Sequence, residues 1–123
     1  MGRSQFFEGF STPGEAKYAS IDAAASGNNT IVEAIAAAAG RPARKIRVLA
    51  LHVTMTGTLV TIRFESGADG TALTGQMQPL AGNSITLPFS PVGWFETAAG
   101  ELLNMELGGA QSVDGCLVYA EVD

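Results

Sequence analysis

Apolar and polar residues alternate along this chain in short bursts with the period of a strand. The strongest burst covers residues 46–55. Leu49, Leu51, Val53 and Met55 fall on one face, and Ile46, Val48 and Ala50 on the other. Apolar residues on both faces predict a central strand, or one covered by a partner. Residues 58–65 alternate cleanly, with Val60, Ile62 and Phe64 inward and Thr61, Arg63 and Glu65 outward. Gly57 separates the two bursts and predicts a β-hairpin across Thr56-Gly57. Further strand signals cover residues 17–25, 85–89, 102–107 and 116–122, with a weaker one over 72–80 interrupted at Gly75. Ser26-Gly27-Asn28-Asn29, residues 66–70 and Ala81-Gly82-Asn83 carry turn chemistry.

One segment gives conflicting signals. Thr30 and Glu33 have capping-box spacing, alanines fill 36–39, Gly40 can close a helix and Pro42 lies just beyond. Local rules therefore predict a short helix over 31–39. Its apolar face of Ile31, Val32 and Ile35 is modest, and so short a helix is marginal alone, so a strand stays open there. The whole pattern amounts to about seven or eight short strands spaced roughly 8–14 residues apart, which predicts an all-β sandwich or barrel, the jelly roll included.

The 123 residues suit one domain. Residues 1–15 read as an extended N-terminal arm and 16–123 as the β-sandwich domain. The arm carries Phe6, Phe7 and Phe10, three of the six phenylalanines. Such aromatics pack back on the domain's own core or anchor the chain in a neighbouring subunit. Trp94 and Phe95, after Pro91 and Gly93, read either as a core plug or as an interface hot spot, where aromatics are enriched.

Composition narrows the functions. Only 15% of residues are charged, which fits extensive burial, and the net charge of −5 argues against a nucleic-acid partner. Against that acidic background Arg41, Arg44, Lys45 and Arg47 make a local basic cluster. It reads as a solvated turn or as a contact with an acidic neighbour. No apolar run is long enough to span a membrane, and no signal peptide is expected.

Reactive groups are scarce. His52 is the one histidine and Cys116 the one cysteine. Two such side chains fall short of a zinc set, and no cofactor is expected. His52 is placed on the face of Ile46, Val48 and Ala50, and Cys116 is read as a small buried hydrophobe. Glu96 and Glu101 read as solvated turn charges. The reading is a non-enzymatic protein.

The string Gly93-Trp94-Phe95-Glu96-Thr97-Ala98-Ala99-Gly100-Glu101-Leu102-Leu103-Asn104 resembles a signature of small virion-associated β-rich proteins of tailed bacteriophages. Residues 26–32 look like their first strand entry, 45–51 like their central strand, and 115–122 like their closing strand. The likeness covers about residues 16–122. It implies an antiparallel, jelly-roll-like sandwich displayed on a phage particle, with a strand over 30–36. The implied role is a capsid decoration (cement) or head-fibre protein on the virion surface, often a homotrimer. Its partners would be the major capsid protein or other virion proteins, and its own copies. The candidate interface is Phe6, Phe7, Phe10, Arg41, Arg44, Trp94 and Phe95. The alternative is a receptor- or carbohydrate-binding module using exposed aromatics such as Tyr18, Tyr119 or Trp94.

Overall fold

A computed structural model describes residues 16–56, 60–80 and 82–123, and every regular element in them is a β-strand. In chain order they are β1 Lys17–Ala23, β2 Gly27–Val32, β3 Lys45–Met55, β4 Ile62–Ser66, β5 Thr71–Ala72, β6 Ser84–Leu87, β7 Phe95–Glu96, β8 Leu103–Leu107 and β9 Val113–Val122. They form two antiparallel sheets. The first runs β1-β9-β3-β6, with β7 also paired to β3; the second runs β2-β8-β4-β5.

Both sheets turn one face to a common core. Ile21, Ile46, Val48, Leu51, Val53, Val113 and Leu117 of the first sheet pack with Ile62, Phe64, Leu103, Met105 and Leu107 of the second. Alternation along each strand supplies these residues, and burial of their apolar surface drives the fold.

The longest strand departs from simple alternation. The β3–β9 register shifts between Val48 and Ala50. This bulge inserts one residue and flips the parity of every position after it. Ile46 and Val48 before it, and Leu51, Val53 and Met55 after it, therefore share the core face. The expected division of 46–55 into two apolar faces is thus corrected, and His52 lies opposite Ile46 and Val48. The inserted Leu49 joins Ala120 and Val122 in a second, smaller buried cluster.

The expected hairpin across Thr56-Gly57 does not form. β3 pairs with β9, β6 and β7, whereas β4 pairs with β8 and β5. The chain crosses between sheets there, so the two alternating bursts meet face to face through the core. The helix over 31–39 is absent as well. Residues 27–29, expected to turn, open β2 instead, and β2 ends at Val32. Beyond it Ile35 bridges Arg44 and Ala38 bridges Arg41 in a hairpin-like excursion. The alanines at 36–39 are exposed, so a helix there would bury nothing. Of the weak 72–80 signal, Thr71–Ala72 and a bridge from Met77 to Ile62 are realised.

Candidate interaction surface

The β3 bulge also organises a surface. It leaves two consecutive carbonyls, of Val48 and Leu49, to accept bonds from a passing segment. Ser90 N donates to Leu49 O at 2.9 Å and Trp94 N to Val48 O at 2.8 Å. Between them Gly93 N closes a turn on Ser90 O at 3.0 Å. Gly93 has φ +91°, a left-handed conformation that costs other residues strain, and a Cβ there would meet Arg47 Cγ at 2.5 Å. The indole N–H of Trp94 donates to Pro88 O at 2.8 Å. The loop 88–94 is therefore pinned at both ends and braced across its middle.

This loop holds its apolar side chains in solvent. Phe89 is 63% exposed, Val92 61% and Trp94 46%, so they form a neighbouring set and not isolated surface residues. Beside them a shallow cavity of about 210 Å³ is lined by Ala50, His52, Leu87, Cys116 and Val118 among others. Tyr18 pairs with Val118, and Val118 with Ala50, in a row across three strands. Tyr18 is 84% exposed. The outer face of the first sheet thus carries one apolar row, Tyr18–Val118–Ala50, beside polar rows such as Ser20–Cys116–His52–Thr86 and Asp22–Asp114–Thr54–Ser84.

Trp94 and Phe95 separate at this surface. Phe95 turns inward and packs on the core, its ring 5.3 Å from that of Phe64, while Trp94 stays outside. The rest of the Gly93–Asn104 string has structural duties too. Thr97 is buried and its Oγ1 accepts from Ile46 N at 2.9 Å. Leu103 lies in the core, and Asn104 is fully buried. The string mostly records how this loop is fastened to β3.

Arg44, expected at the interface, is engaged by the chain's own acids. It lies 3.8 Å from Glu121 and 3.2 Å from Asp123. Lys45 and Arg47 both reach Glu96, at 3.5 and 2.8 Å. The basic cluster is largely neutralised within the protein, and Glu96 is an ion-pair partner instead of a solvated turn charge. Arg41 donates to Pro42 O at 3.5 Å and makes no ion pair among the described residues. Phe6, Phe7 and Phe10 lie outside the described residues.

Cys116 is exposed, which corrects its expected burial. Gly115 and Leu117 flank it on the other face of β9, so alternation turns Cys116 outward, opposite His52. His52 Nδ1 is 2.8 Å from Thr86 Oγ1. Among the described residues no group of three or more His, Cys, Asp or Glu is placed to hold a metal, and no helix is long and apolar enough to cross a membrane, which leaves a membrane β-barrel untouched.

Sequence reasoning passed over Phe89 and Val92 as surface groups. The available signal was their setting among Pro88, Pro91 and Gly93, a turn that leaves few inward positions. Tyr119, offered as an exposed aromatic, is partly buried against the core. Comparison with protein-family models, curated proteins and solved structures finds no match to this chain.

Proposed function

We propose that this is a non-enzymatic structural protein of a phage virion. It decorates or cements the capsid through contacts with capsid subunits and its own copies, a trimer being favoured. The observation that carries the reading is the exposed apolar set Phe89, Val92 and Trp94, held in a braced loop. Aromatic anchors on a preorganised support lose little entropy on docking, which suits a permanent assembly contact. The resemblance of Gly93–Asn104 to virion-associated proteins supplies the setting. Strand order supports the jelly-roll reading of the fold. With the two-residue β7 set aside, the sheets run first-eighth-third-sixth and second-seventh-fourth-fifth, the interleaving of two Greek keys.

The test is light scattering of the purified chain over a wide concentration range, with co-sedimentation on phage heads assembled without it. Oligomers, or binding to heads, are expected. A monomer at every concentration that never sediments with heads overturns the proposal.

The exposure of the aromatics Trp94 and Tyr18 favours a second reading, a receptor- or carbohydrate-binding module of a tail or fibre. Sugars stack on such rings. A glycan array that yields hits abolished by Trp94→Ala selects this reading; an empty array removes it.

A further inference from the structure

Residues 35–44 form a two-stranded ribbon that belongs to neither sheet. Ile35 bridges Arg44 and Ala38 bridges Arg41 in one register. Ala38 N donates to Arg41 O at 3.0 Å, and Arg41 N to Ala38 O at 2.9 Å. Gly40, at φ +76°, turns the tip. The base is fastened, because Gly100 N donates to Arg44 O at 2.9 Å and Ala43 lies beside Gly100. From Ile35 the ribbon runs on for roughly 14 Å at ~3.4 Å per residue, and residues 36–40 are exposed. A lone two-stranded ribbon is marginal in water, and alanine is a poor strand former. Residues 36–40 bury nothing within their own chain, so contact with another molecule is what the extension can gain.

Arg41 stands at this tip. Its side chain donates to Pro42 O at 3.5 Å and makes no ion pair among the described residues. A groove of about 620 Å³ lies between β1 and residues 31–35, lined by Tyr18, Ser20, Ile31, Glu33, Tyr119 and Glu121 among others. Its lining mixes polar and apolar groups, and its charged side chains are both acidic. Glu121 is already engaged by Lys17 and Arg44, at 2.9 and 3.8 Å. Glu33 is exposed and makes no ion pair among the described residues. Within one chain this carboxylate and the Arg41 guanidinium stand apart. Arg41 is opposite Ala38, and Glu33 is five positions back from Ala38, about 17 Å of extended chain.

We propose that the ribbon of one copy seats in the groove of a second copy, where its Arg41 pairs with Glu33 of the partner subunit. Charge and size select this occupant. Each copy has a net charge of −5, so copies repel one another, and a basic tip on an acidic recess is the complementary contact. At ~30 Å³ per water the groove holds roughly twenty waters, room for a tip whose side chains at 36–40 are no larger than a methyl group. The rings of Tyr18 and Tyr119 line the recess, and such rings also attract a guanidinium. This grip presupposes the self-assembly proposed above and names where one copy holds the next.

Charge reversal in the full-length chain tests it. Arg41→Glu and Glu33→Arg are each expected to raise the dissociation constant for self-association by about tenfold or more, and the two together to restore it. Wild-type association is expected to weaken with added salt. In a Cys116→Ser background, Glu33→Cys with Arg41→Cys is expected to give a disulfide joining two chains on mild oxidation. A disulfide needs Cα atoms within about 7 Å, which bars that bond inside one chain. Oligomers whose dissociation constant neither reversal moves overturn this proposal and leave the assembly reading standing, as does the absence of a chain-to-chain bond. Reversals that weaken binding to phage heads but not self-association also overturn it, and give the ribbon to the capsid. A wild-type chain that is monomeric at every concentration overturns both readings. Should a reversal prevent folding, Arg41→Gln and Glu33→Gln are the substitutes, each expected to weaken association, and unchanged association then counts against the proposal.

Discussion

Asn104 Nδ2 donates to Glu65 Oε1 at 3.0 Å, and neither residue reaches solvent, at 0% and 1% exposure. Around this pair Arg63 holds the other carboxylate oxygen of Glu65, Asn104 also donates to Asn28 Oδ1, and Asn104 Oδ1 accepts from Asn29 N at 2.9 Å. β2, β8 and β4 are tied together by side chains as well as by their ladders. A buried polar network is worth keeping only when satisfied, and removing one member strands the rest. Asn104→Ala should therefore cost about 1–3 kcal/mol, seen as a lower urea midpoint with unchanged slope. Asn104→Leu should do no better, since Glu65 Oε1 is left buried without its donor.

This network marks the limit of what the pattern carried. Alternation located β3, β4, β8 and β9 and placed Glu65 outward, because period two is local. It could not say that an outward residue would be covered, since that depends on β2 and the 67–70 turn, whose Asp69 N donates to Asn28 Oδ1. The same limit explains the missed crossing between β3 and β4. A glycine at 57 is equally at home in a hairpin and in a crossover, and pairing partners lie as far away as Val113 and Leu107. The β3 bulge left no compositional trace beyond apolar residues on both faces. Trp94 was singled out by its aromatic pair with Phe95, but only the carbonyls of Val48 and Leu49 decide which of the two faces out.

Asp22 and Asp114 lie directly opposite each other on β1 and β9. Local desolvation, then the hydrogen bond and charge of Asp22, hold the Asp114 carboxyl above its ordinary value. The folded state thus binds this proton more tightly than the unfolded chain. The stabilising contribution is complete below the ordinary carboxylate pKa and is lost as pH rises through the raised one. Asp114→Asn should remove that falling component. Its stability difference from wild type should grow in the variant's favour from acid toward neutral pH and shrink in high salt, which screens exposed charges. Thermal melts of both proteins across pH check the sign; a constant difference contradicts it.

Gly115 sits in β9 where a Cβ would come within 1.9 Å of the His52 carbonyl oxygen and 2.8 Å of Val53 Cα. These are backbone atoms of the paired strand and cannot swing aside. Gly115→Ala must separate β9 from β3 locally, and the core beneath them is tightly packed. Gly75 has open space around it and no positive φ. Gly75→Ala should be neutral or slightly stabilising, within about 1 kcal/mol, while Gly115→Ala should lose several degrees of melting temperature or fail to fold. Similar melts for the two would mean that β9 and β3 are not so closely paired.

Trp94 and Phe95 are adjacent, yet they should answer to different assays. Phe95 packs on Phe64 and the core, so Phe95→Ala should cost on the order of 3 kcal/mol in unfolding. Trp94 leaves 46% of its surface in water, and its side chain's hydrogen bond is the one from the indole N–H to Pro88 O. Trp94→Ala should cost no more than about 1.5 kcal/mol. On the assembly reading, Trp94→Ala should instead weaken self-association or head binding by tenfold or more, the scale of a hot-spot residue at about 2 kcal/mol. Phe95→Ala should leave that affinity unchanged for whatever fraction folds. Denaturation curves and sedimentation on the same two variants separate the roles. A Trp94→Ala protein that assembles and binds like wild type would remove this loop from the interface.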